Sequence, residues 1–345
     1  MRIAVATETK PGERRVALVP PDVALLTCDG HVVSVQAGAG AGTGFADDAY
    51  RRAGARIVDA HGPWDAELVV KVKELQEQDF CRTVAGQVVF GYHHLVGHPE
   101  DARRVLASGV TALAYEAVRD RSDRFPLLAP MSIIAGRMAL QVAVRTLGRA
   151  PEDVLVLGAG EAGNAAAAAA RAAGARVTQL RRGTATPEAV HAAAVRADLV
   201  IGAVFAAGQR TPKLLPRSLV AQMKRGALIV DVAIEEGGVA ETSRPTSHAD
   251  PTYVEEGVIH YAVPNMPSAV PREAAEAISA AVTPYVRALA SRGIGRALLD
   301  DAGLRAGLLA WKGRCNDRAL AAEAGVAYAP VSDAELQTGA NQADA

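Results

Sequence analysis

Cysteine is scarce in this chain of 345 residues: Cys28, Cys81 and Cys315 stand far apart, odd in number and without a CxxC pair. That spacing excludes a disulfide framework and a zinc knuckle. An excess of charge is missing too. Thirty-seven basic residues against 38 acidic ones leave a formal net charge of −1, so there is no sequence-wide electrostatic footprint for nucleic acid or an anionic membrane. No run approaches the roughly 18 uncharged apolar residues of a membrane span. The opening MRIAVATETK carries charge within ten residues and lacks the apolar core of a secretory signal. A cytoplasmic protein with a small-molecule partner, not nucleic acid or membrane, is expected. What is present fits an enzyme: half the residues are apolar and 22% charged, a soluble globular balance. The length exceeds what one hydrophobic core usually organises, so two domains are expected.

Short β-branched runs alternate with Ala-rich helical stretches: Ile3–Thr7, Val32–Gln36, Leu68–Val72, Val88–Tyr92, Thr111–Tyr115, Val154–Leu157, Arg176–Leu180, Leu199–Val204, Leu228–Val232 and Val258–Tyr261. This alternation predicts an α/β architecture with parallel sheets. Two long helices, about 131–147 and 272–292, bracket a self-contained run of strands and helices. They predict a split outer domain (1–127 plus 299–345) and an inserted domain (128–298), with a ligand cleft between them. Ser332–Ala345 lacks an apolar period and is expected to fray.

The strand Val154–Leu157 runs into Gly158-Ala159-Gly160-Glu161-Ala162-Gly163 and then a helix. This is G-x-G-x-x-G in the strand–turn–helix setting that binds a dinucleotide pyrophosphate at a helix N-terminus. A glycine-rich turn serving only helix–strand packing is the alternative. At the end of the next strand, where an NAD site carries Asp or Glu, stand Arg181 and Arg182. Arginine there either clamps a 2′-phosphate or is a solvated strand end. Only residues 183–197 separate this strand from the next apolar region, too few for two crossovers, so one βα unit of the nucleotide half is expected to be absent.

Three charged residues stand out in the first domain: Arg15, Lys73 after Val70-Lys71-Val72, and His94 after Tyr92-His93. The latter two fall at the C-terminal ends of apolar strands, where parallel sheets carry ligand chemistry. An arginine can fork a carboxylate, a lysine can polarise a carbonyl, and an imidazole can move a proton near neutral pH. Arg14, Lys71 and His93 read as solvated neighbours. His94 and His98 are four apart, but Gly97 and Pro99 argue against a helical metal face, and no metal is expected.

Nearly the whole chain resembles the alanine dehydrogenase family, whose fold is shared with the NAD-binding subunit of proton-translocating transhydrogenase. The resemblance is carried by Glu8-Thr9-Lys10 with Arg15-Val16-Ala17-Leu18, by Val70-Lys71-Val72-Lys73-Glu74 and by Ala114-Tyr115-Glu116. Pro126–Ser132 with Ala135-Gly136-Arg137, Ala197–Val204, Gly237-Gly238 with Ser243-Arg244-Pro245-Thr246, and Asn265-Met266-Pro267 carry the rest. It implies two Rossmann-like domains and reversible NAD(P)-linked oxidative deamination of a small 2-amino acid by a homo-oligomer. It further implies that Arg15 clamps the substrate carboxylate, Lys73 polarises the carbonyl and His94 is the general acid/base. Asn265, Tyr92 and Met131 would border the substrate; Ser132, Gly158, Gly160, Gly163, Arg181 and Val263 would meet the cofactor. The chain departs from the family at Arg181, in the shortened segment after it, at Ile133 after Met-Ser, and at Glu235, which stands where the family has a catalytic aspartate. The basic residue favours NADP over NAD. A diverged member without redox activity, or a transhydrogenase-like nucleotide-binding subunit, are the alternatives.

Overall fold

The structure, a computed structural model, describes residues 1–205 and 210–340. The chain divides into two units, Met1–Pro130 with Val270–Ala345, and Met131–Ala269. The first unit holds strands β1 (Arg2–Val5), β2 (Val32–Gln36), β3 (Arg56–Val58), β4 (Leu68–Val70), β5 (Val88–Gly91) and β6 (Thr111–Ala114). The second holds β7 (Asp153–Leu157), β8 (Arg176–Leu180), β9 (Leu199–Gly202), β10 (Leu228–Asp231), β11 (Thr252–Glu255) and β12 (Val258–Tyr261); β13 (Leu308–Trp311) and β14 (Arg314–Cys315) return to the first.

The sheet of the first unit runs β14-β13-β6-β5-β4-β1-β2-β3. β1 to β6 pair in parallel, and β13 and β14 close one edge antiparallel. Its central strands are apolar at every position, Leu68, Val69 and Val70 being fully buried, as parallel strands covered on both faces require. The loops that follow the adjacent strands β6, β5, β4 and β1 therefore emerge side by side at one end of the sheet.

All ten apolar runs read from the sequence are strands. The second sheet runs β11-β12-β10-β9-β7-β8, parallel except for the antiparallel edge strand β11. β8 is an outer strand, and the single helix Pro187–Ala194 carries the chain from it to β9. Among the described residues no strand lies beyond β8, so the expected loss of a βα unit is seen as a sheet one strand narrower on its nucleotide side.

Two expectations need correction. The helix Pro271–Arg292 belongs to the first unit, so the inserted body ends at residue 269 and not at 298. Its reason is specific: Ser279 Oγ accepts from the Val19 amide at 2.9 Å, Arg287 forks Asp29 at 2.6 and 2.9 Å, and Ala275, Ile278, Val282 and Val286 are fully buried. The C-terminal segment does not fray over its described part. Asp333–Ala340 is a helix opened by a capping box, in which Glu335 accepts from Ser332 and the Glu335 amide bonds Ser332 Oγ. Leu336 anchors it with no exposed surface; residues 341–345 lie outside the described residues. No helix among the described residues is long and apolar enough to cross a membrane.

Candidate active site

The strand ends of the first unit gather the candidate residues. Lys73 follows β4 and His94 follows β5; Lys73 Nζ lies 3.2 Å from His94 Nε2. A lysine ammonium only donates, so Nε2 accepts, and the neutral ring carries its proton on Nδ1. Desolvation, then the neighbouring Lys73 and Lys10 ammonium groups, hold His94 well below the usual histidine range. The Tyr92 ring stacks on the imidazole with centroids 5.6 Å apart and planes 14° apart. Its hydroxyl is fixed by donating to the Leu127 carbonyl at 2.7 Å.

Carboxylates hold both loops from within. Glu8, after β1, accepts from the Val72 and Lys73 amides at 2.6 and 3.1 Å. Glu116, after β6, accepts from the His93 amide at 3.1 Å and the His94 amide at 2.6 Å. Desolvation raises both acids above the ordinary glutamate value, against the opposing pull of these hydrogen bonds. His94 itself sits at φ +47°, in the left-handed region rarely used by residues other than glycine.

Three sequence expectations change here. Arg15 does not present an open fork on its side edge: Nε donates to Glu13 Oε1 at 2.8 Å and Nη2 to Glu13 Oε2 at 2.6 Å, both side chains being 1% exposed. Lys71 is not solvated but fully buried, with Nζ 3.3 Å from Asp79 Oδ2 and 3.6 Å from Glu8 Oε2. His93 is buried as well, bonded through Nε2 to the Val89 carbonyl at 3.2 Å. Each buried group has its partner, Glu13 for Arg15, Glu8 and Asp79 for Lys71 and the Val89 carbonyl for His93, as burial of a charged or polar group requires.

In the second unit, the glycine turn connects β7 to the helix Glu161–Ala172. Gly158 takes φ +120°, and a Cβ there would sit 2.2 Å from the Ala203 carbonyl oxygen. A Cβ on Gly163 would meet the Gly158 carbonyl oxygen at 2.3 Å. These two glycines serve close packing of turn, strand and helix. Gly160 differs: it is a helix N-cap with nothing within 4 Å of an added Cβ, and so borders open space. The turn is braced by Gln179, whose amide donates to the Gly158 carbonyl at 3.1 Å and to Asn164 Oδ1 at 3.0 Å. Arg181 and Arg182 are exposed just past β8; neither forms an ion pair among the described residues.

Glu235 lies in a short 3-10 turn after β10 and is exposed. The loop behind it is held twice. Asp231 accepts from the Val239 amide at 2.8 Å and Ser243 Oγ at 2.6 Å, and Lys213 donates to the Gly238 and Ala240 carbonyls at 3.0 and 2.9 Å. Asn265 sits at φ +54°, a conformation asparagine tolerates better than most residues. Met131 and Val263 are buried and Ser132 half-buried. Thus Lys73, His94 and Tyr92 are in mutual contact, whereas Met131, Ser132, Glu235, Val263 and Asn265 belong to the second unit. No group of side chains suited to a metal occurs among the described residues. Glu8, Glu13, Glu116 and Asp231 were not singled out from sequence; for Glu8, Glu116 and Asp231 the signal was an acidic residue within three positions of an apolar strand end, a signal Glu13 lacks.

Comparison with known proteins adds to this geometry. Residues 4–135 match the N-terminal domain of alanine dehydrogenase/PNT, and residues 132–318 match its C-terminal domain. The alanine dehydrogenase of Halomonas elongata is 42% identical over 363 aligned positions, covering 95% of this chain and 98% of that one. That of Bacillus subtilis is 40% identical, with 97% of each covered. Both alignments are longer than this chain's 345 residues, so the relatives have segments that it lacks. Among solved structures, an L-alanine dehydrogenase superimposes with TM-score 0.87 at 39% identity over 93% of this chain and 98% of its own. A transhydrogenase from Sinorhizobium meliloti gives 0.81 at 25% identity over 92% and 100%.

Proposed function

Because the chain belongs to the alanine dehydrogenase/PNT family, we propose that it interconverts L-alanine with pyruvate and ammonia, using a nicotinamide dinucleotide. The observation that carries this reading is the Lys73–His94 pair at adjacent strand ends, in a chain that keeps the glycine turn. The residues fit the cofactor: Gly160 leaves the space a pyrophosphate needs at the N-terminus of a twelve-residue helix, where free amides and the dipole favour an anion. Gly158, Gly160, Gly163, Ser132 and Val263 would hold it. When bound, the cofactor exchanges a hydride with the substrate Cα.

The remaining work falls to side chains. Arg15 binds the substrate carboxylate, while Lys73 donates to the 2-oxo oxygen and so favours attack by ammonia. His94 moves the proton: in deamination it takes one from the water that adds to the imine carbon, and in amination it supplies one to the departing hydroxyl of the carbinolamine. Tyr92 keeps the imidazole in plane, Met131 and Asn265 border the substrate, and Glu235 acts where the family has aspartate. Arg181 binds a 2′-phosphate, giving preference for NADP over NAD. The active form is a homo-oligomer working in the cytoplasm, where small 2-oxo acids and nicotinamide dinucleotides meet.

A rate assay with ammonium and a series of 2-oxo acids, followed by NADH or NADPH absorbance, tests the reading. Turnover greatest with pyruvate is expected. Absence of turnover with either cofactor across the series would overturn it.

A further inference from the structure

Each of the two reactive side chains stands on a loop whose consecutive amides are gathered by one carboxylate. Glu8 takes Val72 and Lys73; Glu116 takes His93 and His94. The second case is the more demanding. His94 occupies the left-handed region, which costs a β-carbon-bearing residue free energy and persists only where the surroundings over-determine it. The shortest of the Glu116 contacts, 2.6 Å to the His94 amide, falls on the strained residue itself. Carboxylates accept strongly, and a charge-assisted bond to a backbone amide is worth roughly twice a neutral one.

We infer that Glu116 is a positioning residue for the reaction: by holding the His93 and His94 amides it keeps His94 in its left-handed turn, with Nε2 3.2 Å from Lys73 Nζ. Glu116 touches neither substrate nor cofactor in this role; it acts through the backbone. The inference rests on the proton-transfer role given to His94 above. Released from Glu116, the loop relaxes toward an ordinary backbone conformation, which turns the imidazole away from both Lys73 and the stacked Tyr92 ring. Oε1 alone accepts from both amides within 3.1 Å, whereas Oε2 reaches only the His93 amide, at 3.3 Å. A glutamine therefore keeps the essential acceptor without the charge. An aspartate keeps the charge but, one methylene shorter, withdraws it from the amides.

The test is a comparison of Glu116→Gln, Glu116→Asp and Glu116→Met in the full chain, with His94→Ala alone and combined with Glu116→Met. Substrate kinetics are measured together with the urea unfolding midpoint, which reports on folding independently of turnover, and with NADH binding by calorimetry. Glu116→Asp and Glu116→Met are expected to lower kcat by about ten- to hundredfold, the scale of an ångström misplacement of a reacting group. KM and NADH affinity should change by less than about threefold, and Glu116→Gln should recover most of kcat. In the His94→Ala background Glu116→Met should cost less than about twofold, since there is no imidazole left to position. If Glu116→Met does not fold, the order of the Gln and Asp variants decides. Full activity of Glu116→Asp with loss in Glu116→Gln would assign Glu116 an electrostatic role and overturn the inference, as would equal losses in both backgrounds. Near-normal kcat for His94→Ala would overturn the His94 role and this inference together; a large loss there with unchanged Glu116 variants would overturn this inference alone.

Discussion

Lys73 Nζ and His94 Nε2, one at the end of β4 and the other at the end of β5, share a hydrogen bond of 3.2 Å in which the ammonium can only donate. The imidazole is thereby kept neutral with its Nε2 lone pair engaged. The ammonium has two further donors, so this one contact leaves Lys73 able to bond a second acceptor while it holds the ring.

The first prediction follows from this pair. Desolvation, Lys73 and Lys10 all push His94 below its ordinary value, so its imidazole should not titrate near pH 6.5 in the native protein but only at distinctly lower pH. Removing the ammonium in Lys73→Met removes one of these causes and leaves the larger one, desolvation. The His94 titration should then move upward, toward pH 6.5 without reaching it. NMR of the imidazole resonances reads both curves, and an unshifted midpoint in Lys73→Met would separate the two groups. The same depression has a stability consequence of definite sign. The unfolded chain binds the proton first, so the His94 contribution is intact above about pH 6.5 and is lost as pH falls toward the folded value.

Glu13 and Arg15 form the second relationship open to test. With both side chains 1% exposed, deleting the carboxylate leaves a desolvated guanidinium without its bidentate partner. Breaking a buried pair in this way costs about 3–5 kcal/mol, so Glu13→Ala should lower the urea unfolding midpoint by a wide margin. Arg15→Lys should fold better than that variant yet raise substrate KM more than it lowers kcat, because a point charge replaces a planar fork. Equal unfolding midpoints for Glu13→Ala and the wild type would show that the pair contributes nothing to stability.

Much of the fold was legible because a parallel strand buried on both faces is written as a continuous apolar run, and Leu68–Val70 or Leu199–Gly202 are such runs. Of the strands that escaped, β3, β11 and β14 lie at sheet edges, where one side needs no apolar residue, whereas β13 is a buried apolar run inside the sheet, Leu308–Trp311. Lys73 and His94 could be singled out because a charged residue closing an apolar strand is visible locally. Lys71 could not be read correctly: its burial depends on Glu8 and Asp79, and sequence distance conceals such partners. The pairing of Glu13 with Arg15 was within reach, being only two residues apart, but an i,i+2 contact has no regular-structure template to suggest it. Ser332-Asp333-Ala334-Glu335 was a capping-box signature in plain view, obscured by the weak apolar period that followed.

The glycine turn separates structural from ligand-facing positions, which gives the third prediction. At Gly158 an added methyl meets the Ala203 carbonyl oxygen at 2.2 Å in a backbone conformation of φ +120°, so Gly158→Ala should destabilise the protein by more than about 1 kcal/mol. At Gly160 the backbone is extended and nothing lies within 4 Å of a Cβ. Gly160→Ala should leave the melting temperature unchanged or slightly raised while weakening NADH binding about tenfold or more, equivalent to roughly 1.4 kcal/mol. Thermal melts and calorimetry on the two variants make the comparison. A Gly160→Ala protein that binds NADH with native affinity would remove the pyrophosphate from this turn.

The last prediction concerns the adenosine end of the cofactor. Arg181 and Arg182 are exposed beyond β8 and have no ion-pair partner among the described residues. An acidic residue in that position would accept from the ribose hydroxyls and repel a 2′-phosphate; arginine reverses both effects. A well-formed charged hydrogen bond contributes about 1.5–3 kcal/mol, and exposure to solvent brings the expected gain to the lower end of that range. The dissociation constant for NADPH should accordingly be about tenfold below that for NADH. Because the contact is exposed, the ratio should shrink as salt rises toward 1 M, where the screening length falls to about 3 Å. Arg181→Asp should invert the preference by restoring an acceptor for the hydroxyls and repelling the phosphate. The opposing influence is the missing strand beyond β8, which leaves the adenosine less wall to rest on and weakens both cofactors alike without touching their ratio. The ratio, and not either affinity, is therefore the quantity to measure. A wild-type ratio near one that Arg181→Asp leaves unchanged would mean that this arginine never meets the ribose.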